Sequence, residues 1–237
     1  MKNGYIIRIE NVWKIYEMGD VKVNALRGLN LEVKRGDFVA VMGPSGSGKS
    51  TAVNMIGCLD IPSKGKVFLE HRDISKLTES DLAQIRGQKI GFIFQQFNLI
   101  PTLTALDNVM LPMVFQGTVE KERRERATHL LEMVGLGERI HHRPTELSGG
   151  QQQRVAIARS LSNDPEVVLA DEPTGNLDQH TGKIIMDFLK KLHKEEGKTI
   201  IMVTHDANVA KQAHRVEHLV DGSIVKSKKN VKSKISR

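Results

Sequence analysis

The sequence predicts an α/β fold with a mostly parallel core sheet, an antiparallel β subdomain and an inserted α-helical subdomain. Strand-like runs, "IIRIE", "LNLEV", "FVAVM", "KVFLE", "IGFIF", "VVLA" and "TIIMV", alternate with segments that read as helices or turns, and such alternation requires crossovers between parallel strands. The runs between residues 6 and 32 and at 66 to 70 have no long helix between them, the pattern of an antiparallel layer. From about residue 104 to 163 the strand signal vanishes, and "TALDNVMLPMVF", "EKERRERATHLLEMV" and "GGQQQRVAIARSL" have helical character.

Composition bounds the class. The chain has 237 residues, 39% hydrophobic and 27% charged, an ordinary globular mixture. Its net charge of +7 is uneven: the tail at 226 to 237, "KSKKNVKSKISR", holds five lysines, one arginine and no acid, so the body is nearly neutral. Such a tail reads as a disordered, solvated end or as a contact for anionic lipid or nucleic acid. The one cysteine, Cys58, sits in apolar "MIGCL" and is expected to be a buried thiol. No stretch approaches the roughly 18 apolar residues of a spanning helix, and "MKNGYIIRIE" lacks the apolar core of a signal peptide, so a cytoplasmic protein is expected.

The first chemical motif comes directly after "FVAVM". "GPSGSGKST" at 43 to 51 fits G-x-x-x-x-G-K-[ST], with a strand before it and a helix start after it. In that setting backbone N–H groups and the helix dipole converge on a polyphosphate. The loop comprises Gly43, Pro44, Ser45, Gly46, Ser47, Gly48, Lys49, Ser50 and Thr51. Glycines permit close backbone approach, Lys49 neutralises the β and γ phosphates, and the Ser50 hydroxyl ligates Mg²⁺. The spacing lacks the G-x-G-x-x-G register of a dinucleotide site.

A phosphate loop needs an acid at a neighbouring strand end, and "EVVLADEP" supplies it. Asp171 would hold Mg²⁺ through water, and Glu172 would polarise the attacking water. Adjacent acids after a strand also suit a helix N-terminus, so the pair gains its meaning from the phosphate loop. A further strand, "TIIMVTHD", ends in His205, placed to sense the γ-phosphate.

"LSGGQQQRVAIARSL" at 147 to 161 distinguishes among phosphate-loop proteins. Ser148, Gly149, Gly150 and Gln151 open a second helix suited to bind phosphate, and a single nucleotide rarely needs two such helix starts from one chain. Here the sequence resembles the ATP-binding-cassette (ABC) ATPases over residues 4 to 225. The resemblance implies that two ATPs are sandwiched between the phosphate loop of one chain and the "LSGGQ" of another. It also implies that Tyr16, in "NVWKIY", stacks on adenine, although an ordinary strand aromatic reads the same way. Gln95, in "GFIFQQFNL", corresponds to the glutamine that reaches Mg²⁺ and the attacking water. Asp178, in "GNLD", corresponds to a loop along the dimer interface, and His205 to the switch histidine. "TAVNMIG" departs from the leucine-rich "TLLNIIG" of the family, in side chains expected to face the core.

The resemblance implies one ABC ATPase domain over residues 1 to 225, with a helical subdomain at about 96 to 163 and a basic tail after it. "IGFIFQQFNLIPTLTALDNVMLP" and "LADEPTGNLD" are closest to the lipoprotein-releasing, macrolide-exporting and cell-division-type branch. The activity so implied is that of an ATP- and Mg²⁺-dependent ATPase, a homodimer when closed, serving an ABC transporter or a mechanotransmission complex by driving, from the cytoplasmic face, a separate membrane permease with few spanning helices. "FNLIPTLTAL" either docks that permease or packs internally. The alternative is a soluble ABC ATPase acting on nucleic acid, but about 100 residues between Lys49 and Ser148 leave no room for a long coiled coil. A small-molecule phosphoryl transferase would leave "LSGGQ" unexplained.

Overall fold

The computed structural model describes residues 4–19 and 21–230. In chain order the strands are β1 (Tyr5–Met18), β2 (Val21–Lys34), β3 (Phe38–Met42), β4 (Lys64–Leu69), β5 (Arg72–Asp73), β6 (Ile90–Ile93), β7 (Val167–Asp171), β8 (Thr199–Thr204), β9 (Arg215–Val220) and β10 (Ser223–Lys229). The α-helices are α1 (Lys49–Ile56), α2 (Glu79–Lys89), α3 (Ala105–Phe115), α4 (Glu120–Met133), α5 (Gly149–Ser160), α6 (Gln179–Glu196) and α7 (Ala207–Ala210). They fall into two compact units, Met1–Leu82 with Thr199–Arg237, and Ala83–Lys198.

The first unit contains two layers. An antiparallel sheet runs β2-β1-β4-β5. The end of β2 alternates inward Leu29, Leu31 and Val33 with exposed neighbours, as expected of a sheet with one wet face. β1 and β2 extend well beyond the apolar runs because shifts of register, one at Asn11 (φ 46°), bend the ribbon without ending it. The other layer places β3 between β8 and β9, both parallel to it, with β10 antiparallel on β9. β8 is buried at every residue and β3 at all but its last, which explains their unbroken apolar sequences.

The second unit pairs β6 and β7 in parallel and packs α3, α4 and α5 between them in sequence. Thr104 caps α3 in a box with Asp107, and Asp178 caps α6 through the Thr181 N–H. The unit spans more than the helical stretch at 96 to 163, because β6, β7 and α6 go with it.

The tail requires a correction. β10 continues through Lys229, so residues 226 to 229 belong to a strand rather than a disordered end; the Ser227 hydroxyl donates to Glu217 at 3.0 Å, and Asn230 donates to the Ala213 carbonyl at 3.0 Å. Lysines at a sheet edge block further strand pairing, which reconciles the charge with the strand. Residues 231 to 237 lie outside the described residues. Cys58 is fully buried.

Candidate functional site

In the first unit the phosphate loop grows directly from β3. Pairing of Met42 with Thr204 brings the ends of β3 and β8 level, so Gly43 and His205 leave the sheet at one edge. A Cβ on Gly43 would stand 2.3 Å from the Leu219 carbonyl oxygen and 2.5 Å from Ser47 Oγ, so only glycine fits. Gly48, at φ 94°, turns the chain into α1 and offers no side chain to cap it. The first N–H groups of α1 are thus left for another acceptor.

Lys49 bends back over this loop, its ammonium donating to the carbonyls of Gly43 at 2.9 Å and Pro44 at 2.7 Å. Ser47 is buried, and its hydroxyl has no hydrogen-bond partner among the described residues. An orphaned hydroxyl, an uncapped helix start and a poised cation suit a polyphosphate. Ser50 is exposed on the first turn, and Ala52, Val53, Met55 and Ile56 face the core. Tyr16 is half-buried on β1, with Lys14 Nζ 5.3 Å from its ring centroid and its hydroxyl 3.5 Å from Asp60. His205 is exposed just before Asp206, which caps α7.

In the second unit, pairing of Ile93 with Ala170 sends the segments carrying Gln95 and Asp171–Glu172 off one edge of β6 and β7. Glu172 is buried, 9% exposed, and holds φ 46°. Gln95 is exposed and close by: a Cβ on Gly175 would lie 3.3 Å from Gln95 Nε2 and 3.4 Å from Glu172 Cβ. Asn176 donates to the Gln95 carbonyl at 2.8 Å, and Arg159 donates to the carbonyls of Phe97 and Asn98. Burial lowers the pKa of the Arg159 guanidinium.

The signature turn is exposed at Ser148 and Gly149. Ser148 and Gln151 cap each other, the Ser148 N–H donating to Gln151 Oε1 at 2.8 Å and the Gln151 N–H to Ser148 Oγ at 3.3 Å. A Cβ on Gly150 would meet Thr181 Cγ2 at 2.6 Å, so a side chain there would have to push the Thr181 side chain aside. Asp178, whose side chain accepts from the Thr181 hydroxyl and N–H, is an exposed carboxylate with a lowered pKa; the hydroxyl contributes most.

The sequence profile of the ABC transporter family matches residues 26–176. The chain belongs to this family. An uncharacterized ABC transporter ATP-binding protein of Thermotoga maritima is 55% identical over 219 residues, 92% of this chain and 93% of its own. A macrolide export ATP-binding/permease protein of Aggregatibacter actinomycetemcomitans is 48% identical over 97% of this chain, which spans only 36% of that longer protein. Among solved structures, the dimeric post-hydrolysis state of the cassette MJ0796 bound to ADP and Pi superposes with a TM-score of 0.89 at 50% identity, covering 96% of this chain and 100% of that one. MJ0796 is from Methanocaldococcus jannaschii. The protein is thus an ABC-type ATPase, with the ABC fold that the sequence predicts.

Each predicted site residue falls within one unit: Tyr16, residues 43 to 51 and His205 in the first; Gln95, residues 148 to 151, Asp171, Glu172 and Asp178 in the second. The residues that sequence reasoning missed are the supports: Gln153, Arg159 and Asn176. Gln153 had a legible signal, because it precedes Ala156, Ile157 and Ser160 by three, four and seven positions and so falls on the buried stripe of α5.

Proposed function

We propose that two copies of this chain close around two ATPs, each phosphate loop facing the Ser148 turn of the other copy, and that closure and hydrolysis drive a separate membrane permease. The observation that carries this reading is the exposure of Ser148 and Gly149 at the start of α5 in a chain that has its own phosphate loop. The post-hydrolysis state of MJ0796, a dimer with ADP and Pi, supports it.

In this reading the loop N–H groups and Lys49 bind the β and γ phosphates, and Tyr16 stacks on adenine. Ser50, Asp171 and Gln95 would hold Mg²⁺, whose charge would offset that of the phosphate oxygens. Glu172 takes a proton from the water that attacks the γ-phosphorus, and His205 orients that water. The bond from γ-phosphorus to the bridging oxygen breaks, leaving ADP and phosphate. Ser148, Gly149, Gly150 and Gln151 contact the γ-phosphate of the opposite copy's ATP, with Asp178 beside that interface.

A permease partner is supported by the fused ATP-binding/permease relative and by exposed apolar groups on the second unit. Ile100 is 38% exposed and Phe115 79%, while Ala105 and Leu106 of the same region are buried. Among the described residues no helix is long and apolar enough to cross a membrane. Location on the cytoplasmic face of a membrane would come from that partner. The test is light scattering on Glu172→Gln. ATP should shift it from monomer to dimer, and a further Ser148→Arg should abolish the shift; a monomer in all conditions overturns the reading.

A further inference from the structure

Gln153 is 1% exposed on α5, and its amide is half used. Nε2 donates to the Pro173 carbonyl at 2.8 Å, whereas Oε1 has no hydrogen-bond partner among the described residues. The orphaned oxygen costs stability, while the bond from Nε2 offsets part of that cost by keeping the Pro173 carbonyl paired. What that bond holds is the backbone next to Glu172.

Pro173 follows Glu172, whose φ of 46° lies in the left-handed region. That conformation is uphill for a residue with a Cβ, and a following proline biases the residue before it toward extended backbone. In the turn the Gly175 N–H donates to the Glu172 carbonyl at 3.0 Å, and Gln153 Nε2 donates to the next carbonyl at 2.8 Å. The helix behind Gln153 is firmly mounted. It packs so tightly on β6 that a Cβ on Gly91 would lie 2.1 Å from the Ser160 carbonyl oxygen, and Arg154 donates to the Val134 carbonyl at 3.0 Å.

We propose that Gln153 is a positioning residue for ATP hydrolysis: through the Pro173 carbonyl it holds the backbone of Glu172 in its left-handed turn. Because α5 begins at the Ser148 turn, the element that meets the opposite copy's nucleotide also sets the acid in its own chain. This rests on the reading of Glu172 as the proton acceptor.

Gln153→Met keeps length and burial but cannot donate. Losing the donor to the Pro173 carbonyl should lower its melting temperature, but the fold and the ATP-dependent dimer should be retained, KM for ATP should stay within about twofold, and kcat should fall about tenfold or more, as misplacement of a catalytic group causes. In a Glu172→Gln background the same change should cost nothing further, since it acts through Glu172. Gln153→Glu reads the bond independently of folding in the methionine variant: its carboxyl donates only when protonated, so its rate relative to the unsubstituted chain should rise as pH falls from about 8 to about 6. Normal kcat in Gln153→Met, an equal loss in both backgrounds, or a pH-independent ratio overturns the proposal. If Glu172→Gln alone turns over normally, the Glu172 reading itself falls, and that single variant reports it.

Discussion

Arg159 donates from Nη2 to the Phe97 carbonyl at 2.8 Å and from Nη1 to the Asn98 carbonyl, so one guanidinium on α5 pins the chain just after Gln95. Asn176 holds the Gln95 carbonyl itself. The loop is thus tied to α5 and to the turn between β7 and α6, and its geometry depends on both.

Arg159→Ala should therefore free the 97–99 backbone and lower kcat. Losing charge-assisted hydrogen bonds of this kind costs about 1.5–3 kcal/mol. Hydrogen exchange should rise at residues 97 to 99 more than in β6. Arg159→Lys should restore little, because an ammonium cannot reproduce the two-nitrogen fork. Unchanged exchange there would contradict the role of the pin.

Gly43→Ala should abolish ATP binding and destabilise the fold. The new methyl meets a backbone oxygen at 2.3 Å, which cannot yield as a flexible side chain would. Overpacking of this type costs about 1–3 kcal/mol or more. Fluorescent nucleotide titration and thermal melting check both parts. Gly46→Ala is the contrast, because nothing lies within 4 Å of its added Cβ, although its φ of 77° still brings strain.

The depressed pKa of Asp178 gives a pH signature. Its folded value lies below the unfolded value of about 3.9, so its contribution to stability is complete above the unfolded value and is lost as pH falls through the folded one. Asp178→Asn retains a good cap without the titration. The stability difference between the two proteins should be constant above about pH 5 and should change below about pH 4. Chemical denaturation across that range measures it; a change centred near neutrality would contradict the assignment.

Much of the architecture was legible because parallel strands buried on both faces have continuous apolar sequences, as β3, β7 and β8 do. β9 and β10 escaped because they carry their charge within the strand: "RVEHLV" includes the buried Glu217, paired with Arg215 at 2.8 Å, and β10 ends in exposed lysines. Apolar alternation cannot find a strand whose inward residue is a carboxylate. At the site, the motifs marked the groups that would touch nucleotide. The supports were hidden because a hydrogen bond to a distant carbonyl, such as Gln153 to Pro173, leaves no mark on local spacing.

If each nucleotide site is built from two chains, mixing two inactive variants restores activity. Lys49→Ala destroys the phosphate loop and Ser148→Arg the opposing turn, so each homodimer should be inactive. In a mixed dimer both defects fall in one site and the other is intact. Equal amounts of the two should recover about a quarter of the native ATPase rate, since about half of random dimers are mixed and each has one good site. Recovery of that size is the predicted result; no recovery, with mixed dimers verified by mass, would contradict a site shared between chains.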